Sequence, residues 1–276
     1  MRKFENKVYM LSCVFGAQMN SFIITTEEGG LIVIDGGWRE DGEKLLGKLR
    51  EITGEDVPHI DAWWLSHCHS DHFCAFMELI EKHRSEFSFD KIYYNFPSVQ
   101  FTSLGSKVDG EVLAKFYEDT VFFADKINIV TQGDKYSIKG ADFDILYTTD
   151  PVFVNNPIND SSTVFAMTLA GKRFMFLGDL GPEAGAKLLS MHGKNLKSDY
   201  CQMAHHGQLG VHKKVYEAIL PEICLWCTPL WLWNNDAGKG FNTHVWKTVE
   251  VRGWMEELGV KENITLKDGD TEFVVK

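Results

Sequence analysis

Hydrophobic and polar positions alternate in short runs along the first third of the chain. Val8 to Phe15, Phe22 to Thr26 and Leu31 to Asp35 read as strands, punctuated by Gly16-Ala17-Gln18 and Glu28-Gly29-Gly30 as turns. After Asp35-Gly36-Gly37 the period changes, and Leu45, Leu46, Leu49 and Ile52 recur on one helical face. A strand from Ile60 to Leu65 leads into a polar, histidine-rich loop and a helix from about His72 to His83. Lys91 to Asn95 reads as a strand, and Val112, Leu113, Phe116, Thr120 and Phe123 return at helical spacing.

The second half has the same grammar. Strands are expected at Lys135 to Ile138, Phe143 to Tyr147, Thr163 to Leu169, Arg173 to Leu177, Tyr200 to Ala204 and Ile223 to Cys227. Helices are expected from Gly181-Pro182, with proline at the favoured first helical position, near Val211 to Ile219, and over about Thr243 to Leu258. Two strands, Ile264 to Leu266 and Glu272 to Val275, end the chain. Two halves of similar grammar predict an α/β fold of two sheets packed face to face and covered outside by helices. One domain spanning 1–276 is expected.

Composition narrows this little but excludes several classes. The 276 residues carry a formal charge of −11, with 44% hydrophobic and 13% aromatic residues, so the chain reads as a folded globular protein. The acidic balance argues against an extended nucleic-acid surface, which would require a basic face. The longest apolar stretch, Ile223 to Trp233, is broken by Pro229 and falls short of a bilayer span, so no membrane partner is expected. Glu5, Asn6 and Lys7 stand where a secretion signal would place its apolar segment, which favours a cytoplasmic location. The six cysteines are scattered, and Cys224-Leu-Trp-Cys227 lies in an apolar run, which reads as buried thiols rather than a metal or redox pair.

The chemistry concentrates in His67-Cys68-His69-Ser70-Asp71-His72, directly after a buried strand. In extended backbone His67 and His69 point the same way, and Asp71 and His72 follow from the turn into the next helix. Neutral imidazoles and a carboxylate at this density are ligands for zinc or other divalent first-row metals.

The segment resembles the HxHxDH motif of the metallo-β-lactamase superfamily, and the resemblance continues through Leu31 to Gly37, Phe176-Leu177-Gly178-Asp179 and Ala204-His205-His206-Gly207. It implies a four-layer αββα sandwich and two divalent metal ions, zinc first, with manganese or iron as alternatives. One metal would be held by His67 and His69, and a second by Asp71, His72 and His205. Asp179 would lie between them and Asp35 would orient a ligand imidazole. Asp179 also has an ordinary reading as the cap of the helix at Gly181. If extended, His205 and His206 point to opposite sides, so one of the two is the ligand. His205 is taken as that ligand, leaving Asp71, His206 and His244 as the residues closest to catalysis, with His206 or His244 as proton donor.

One departure is plain: no histidine occurs between His83 and Asp179, where most family members supply another ligand. Asp150, Asn159, Asp160 or water would take its place. The Asn159-Asp-Ser-Ser start, Gly-Asp and His-His-Gly are similar to the branch with the hydrolase domain of DNA-uptake channel proteins and the phosphorylcholine esterases. The resemblance implies a metal-bound hydroxide acting on a small phosphoester, a phosphodiester or phosphomonoester. Thioester, lactone or β-lactam hydrolysis, iron-dependent redox chemistry, and a non-catalytic metabolite-binding module are the alternatives. Trp38, Trp226, Trp231, Trp233, Phe241 and Trp246 are candidate walls for a small-molecule substrate, and Arg39 and Lys239 candidate phosphate contacts.

Overall fold

The computed structural model describes residues 2–276. Strands β1 (Lys7–Met10), β2 (Ser21–Thr25), β3 (Leu31–Asp35), β4 (His59–Trp64), β5 (Ser88–Tyr94), β6 (Ile127–Ile129) and, from the other end of the chain, β14 (Thr271–Val274) form one sheet in the order β14-β1-β2-β3-β4-β5-β6. The second sheet, in the order β13-β12-β11-β10-β9-β8-β7, is built from β7 (Lys135–Ile138), β8 (Ala141–Tyr147), β9 (Val164–Leu169), β10 (Lys172–Phe176), β11 (Tyr200–Gln202), β12 (Ile223–Trp226) and β13 (Glu262–Thr265). Helices α1 (Gly42–Thr53), α2 (Ser70–Lys82), α3 (Val99–Gly105) and α4 (Lys107–Thr120) follow strands of the first sheet. Helices α5 (Pro182–His192), α6 (Lys213–Ile219), α7 (Leu230–Trp233) and α8 (Thr248–Glu257) belong to the second half.

Strand parity explains the layering. Along β3, Leu31 and Val33 face the helices with Leu45, Leu49, Phe73 and Phe76, while Ile32 and Ile34 face the other sheet. Three apolar layers result. The first lies between α1, α2, α4 and the first sheet. The second lies between the sheets, where Trp64 stacks on Tyr93 and Phe143 at 4.3 and 4.5 Å. The third lies between the second sheet and α5, α6 and α8. Three cores require four layers, αββα, as expected. Strands buried on both faces read as continuous apolar runs, which is why β2 and β3 are legible in the sequence.

Boundaries differ where side chains capture the backbone. The first strand stops at Met10 rather than Phe15 because Ser12 is held by Asp270 and the Val14 amide donates to Asp41. The last helix starts at Thr248 rather than Thr243, because Asn235 holds residues 242–244 in a loop through Asn242 and the His244 carbonyl. The six cysteines are free and buried, with Cys224 and Cys227 inside the apolar layers.

Within the first sheet β3, β4, β5 and β6 run parallel, and within the second β10, β11, β12 and β13 do. Asp35, His67, Asp179 and His206 all follow the carboxyl ends of such strands, where loops leave a rigid scaffold. Among the described residues no helix is long and apolar enough to cross a membrane.

Candidate metal centre

Beyond β4 the chain is held extended for two residues: the Leu65 amide donates to the Tyr93 carbonyl and the Ser66 amide to Asp35 Oδ1. His67 and His69 therefore keep strand parity, and their Nε2 and Nδ1 atoms meet at 3.0 Å. α2 begins immediately after His69, which places Asp71 and His72 in its first turn, where a carboxylate is favoured by the helix dipole.

The second half of the centre comes from the facing sheet. Gly178 turns the chain after β10 with φ +55°, and the Asp179 amide donates to Ser162 Oγ. Gln202 clamps the turn, accepting from the Leu177 amide and donating to the Gly178 carbonyl. The Thr163 amide donates to the Ser66 carbonyl at 2.8 Å, tying the two sets of loops together.

Two groups of donors converge: His67, His69 and Asp179, and beside them Asp71, His72 and His206. In each, the ligand atoms lie within 4.8 Å of one another. Asp179, in the first group, also reaches two members of the second. Its Oδ1 is 3.2 Å from His72 Nε2, and its Oδ2 is 3.3 Å from His206 Nε2 and 3.9 Å from His67 Nε2. His206 Nε2 is also 3.1 Å from Asp71 Oδ2 and 3.4 Å from His72 Nε2.

Asp35 sits behind this centre, fully buried with φ +58°. Its Oδ2 receives Asn20 Nδ2 at 2.7 Å, Ser66 Oγ at 2.8 Å and His72 Nδ1 at 2.8 Å. A carboxylate on Nδ1 directs Nε2 of the same ring toward a ligand and raises its basicity. His206 is oriented the same way, with Nδ1 3.1 Å from the Cys227 carbonyl.

Burial opposes charge on His72, but Asp179 and Asp35 outweigh it and raise its pKa well above the ordinary histidine value. Burial likewise opposes the His206 cation, yet Asp179 and Asp71 push it up to about 9. For His67, burial and the neighbouring His72 outweigh the more distant Asp179 and hold its pKa well below the ordinary value. Burial works against ionised Asp179, but His206 and His72 hold its carboxyl well below the carboxylate range.

These donors fit divalent cations. Four imidazoles and two carboxylates face inward, and buried Asp179 Oδ1, though 3.2 Å from His72 Nε2, has no aligned hydrogen-bond donor. A cation would satisfy that oxygen and separate the facing ring nitrogens.

The structure alters the sequence-derived assignments in two places and removes one alternative reading. His206, not His205, joins Asp71 and His72. His205 lies 4.0 Å from Asp179 Oδ2 with a partly exposed side chain that lines the cleft above. The reason is local: His205, His206 and Gly207 are consecutive left-handed residues, at φ +53°, +54° and +79°, so the alternation of an extended strand does not apply. A Cβ on Gly207 would run into the Trp226 ring, which accounts for glycine there. His244 is exposed, stacks on Trp246 at 3.7 Å and lines a separate recess with Asn235 and Asn242. Asp179 does not cap α5, because Asp160 Oδ1 receives the Gly181 amide there at 3.0 Å.

That last contact bears on the absent histidine. Asp160 is committed to the helix start and Asp150 is paired with Lys187, whereas Asn159 is buried and its Oδ1 has no partner. Asn159 thus offers a buried oxygen without a partner.

The cleft over the centre, about 450 Å³, is lined by Gln18, Trp38, His69, Ser70, Asp71, Ser106, Val108, Asp109, Asp179 and His205. Gln18, Ser106 and Asp109 are remote in sequence from the histidines, and no spacing marks them. Trp226 is core, edge-on to Trp233 at 5.2 Å, and Arg39 is paired with Glu78 and Glu81.

The comparisons bear on the fold. The family model of the Metallo-beta-lactamase superfamily matches residues 15–85, the stretch that carries Asp35 and the histidine-rich segment. The metallo-β-lactamase fold protein YhfI from Bacillus subtilis superposes with a TM-score of 0.56 at 12% identity, covering 97% of this chain and 98% of that one. The fold is that of the metallo-β-lactamases. The family model bears on that stretch of the chain, and the structural neighbour on the fold. CmlA, a diiron β-hydroxylase from Streptomyces venezuelae, gives a TM-score of 0.59 at 12% identity over 100% of this chain and 55% of its own. No curated protein matches the sequence.

Proposed function

We propose that the chain, as one domain over residues 1–276, is a metal-dependent hydrolase of the metallo-β-lactamase fold acting on a small phosphoester. The observation that carries the reading is Asp179, buried between two groups of inward-facing donors, with its oxygens 3.2 to 3.9 Å from His72, His206 and His67. His67, His69 and Asp179 would hold one ion, zinc, manganese or iron, and Asp71, His72, His206 and Asp179 the other. Paired divalent ions lower the pKa of water toward neutrality and neutralise charge developing on a phosphoryl oxygen.

The protein's own groups do the remaining work. No lysine or arginine lines the cleft, while Asp71, Asp109 and Asp179 do, so recognition of an anionic ester depends on the ions. The first group would offer its ion fewer protein donors than the second. His205, at the wall of the cleft, is placed to exchange a proton with the leaving group. Burial lowers its pKa below the ordinary histidine value, so it would have to take up a proton before passing one on. Asp35 and the Cys227 carbonyl hold the tautomers of His72 and His206.

The test is direct. His67→Ala and Asp179→Ala should each reduce hydrolysis of bis(4-nitrophenyl) phosphate at least a hundredfold and reduce bound metal, while far-UV circular dichroism stays native. Wild-type rates in both variants would overturn the assignment, and activity on thioester, lactone or β-lactam reporters without phosphoester turnover would replace the substrate class.

A further inference from the structure

Beside the polar cleft lies a second space of different character. This cavity, about 330 Å³, opens where β1, β12 and β13 end, and its walls are Cys13, Ala17, Met19, Cys227, Trp231 and Leu266. Its polar neighbours are already engaged: Ser12 with Asp270 and Lys44, Lys267 with Asp268, and the Trp231 indole N–H with the Gly16 carbonyl at 2.9 Å. Burial pushes the Cys13 thiol up to about 11, so it is neutral. What remains facing the space is apolar.

The cavity and the cleft have no lining residue in common but lie on two sides of one segment. The segment Ala17-Gln18-Met19 runs between them, Gln18 lining the cleft and Ala17 and Met19 the cavity. The next residue, Asn20, donates to Asp35 and, through its amide, to the Asp71 carbonyl. On the other side Cys227 lines the cavity while its carbonyl receives His206 Nδ1. Phe15, exposed at the tip of the same loop, lies 6.0 Å from Trp38 in the cleft, and Leu230, also exposed, lines the cavity.

We propose that this cavity is the subsite for an apolar group of the substrate, so that the preferred substrates are phosphoesters of an aromatic or medium-chain alcohol. This rests on the hydrolase reading for the phosphoester half and on the cavity alone for the apolar half. At roughly 30 Å³ per water-sized volume, the space admits about ten heavy atoms, a fused bicyclic ring or a chain of comparable size.

The experiment separates the two halves. With the protein as purified and metal restored, KM is compared for methyl and 1-naphthyl 4-nitrophenyl phosphate, which share a leaving group, and 1-naphthol binding is titrated calorimetrically. The naphthyl ester should show a KM at least tenfold lower, and 1-naphthol should bind at submillimolar concentration. Ala17→Trp, which fills the cavity, and Leu230→Asp, which charges its edge and tolerates the exposed site, should each narrow the KM ratio severalfold and weaken naphthol binding. Equal KM values with no naphthol binding would overturn the subsite and leave the hydrolase standing. Naphthol binding that Leu230→Asp weakens, with neither ester turned over, would support the subsite and defeat the phosphoester reading.

Discussion

Asp35 illustrates how much one side chain determines here. It is buried without a lysine or arginine, yet four donors converge on it from Asn20, Ser66 and His72. Asp35→Asn suits the left-handed backbone but replaces an acceptor oxygen with a donor nitrogen. We expect metal affinity to fall 10–100-fold with the fold intact, measured by competition with a chromogenic chelator. The raised pKa values of His72 and His206 set a pH dependence. Each imidazole must lose its proton to ligate, so affinity should climb as pH rises from 6 through about 9, with proton release visible as buffer-dependent binding heat. The histidine-rich segment was legible because its donors are adjacent in sequence. The His205/His206 choice was not, since it turns on a run of positive φ angles that no parity argument contains.

At the level of elements, the start of α5 joins structure to titration. Asp160 accepts from the Gly181 amide, a favourable place for a carboxylate, but burial dominates and lifts its pKa from 3.8 to about 6. An acid whose folded pKa exceeds its unfolded value contributes most below the unfolded pKa, and that contribution is lost as pH rises through the folded one. Asp160 should therefore lower stability between pH 4 and 6 by up to about 3 kcal/mol. Asp160→Asn, which keeps the acceptor, should flatten that part of a urea-denaturation pH profile. An unaltered slope would show that burial is relieved in solution. Long strands and amphipathic helices were readable from periodicity, whereas the three-residue β6 and the four-residue α7 are too short to show a period. α3 depends on Ser98 receiving the Phe101 amide rather than on an apolar stripe.

Across the whole molecule, the donor set spans the two sheets. His67, His69, Asp71 and His72 come from loops of the first, Asp179 and His206 from the second. Bound metal should therefore oppose separation of the layers. At a hundredfold excess over Kd, binding adds about 2.7 kcal/mol, and removing it with EDTA should lower Tm by roughly 5–10 °C by differential scanning calorimetry. An unchanged Tm alongside confirmed metal loss would mean that the apolar layers alone set unfolding. Two facing sheets could be inferred from alternating strands. Which strands neighbour one another could not, because sheet order depends on long-range pairing.

That pairing has a consequence for synthesis. β1 lies between β2 and β14, so Lys7–Met10 meets its outer neighbour only after Thr271–Val274 has been made. At 5–20 residues per second, a nascent chain keeps one flank of its earliest strand bare for on the order of ten seconds or more. Ribosome-bound chains halted before Thr271 should consequently be the form most prone to recruit chaperones or to pair wrongly with one another.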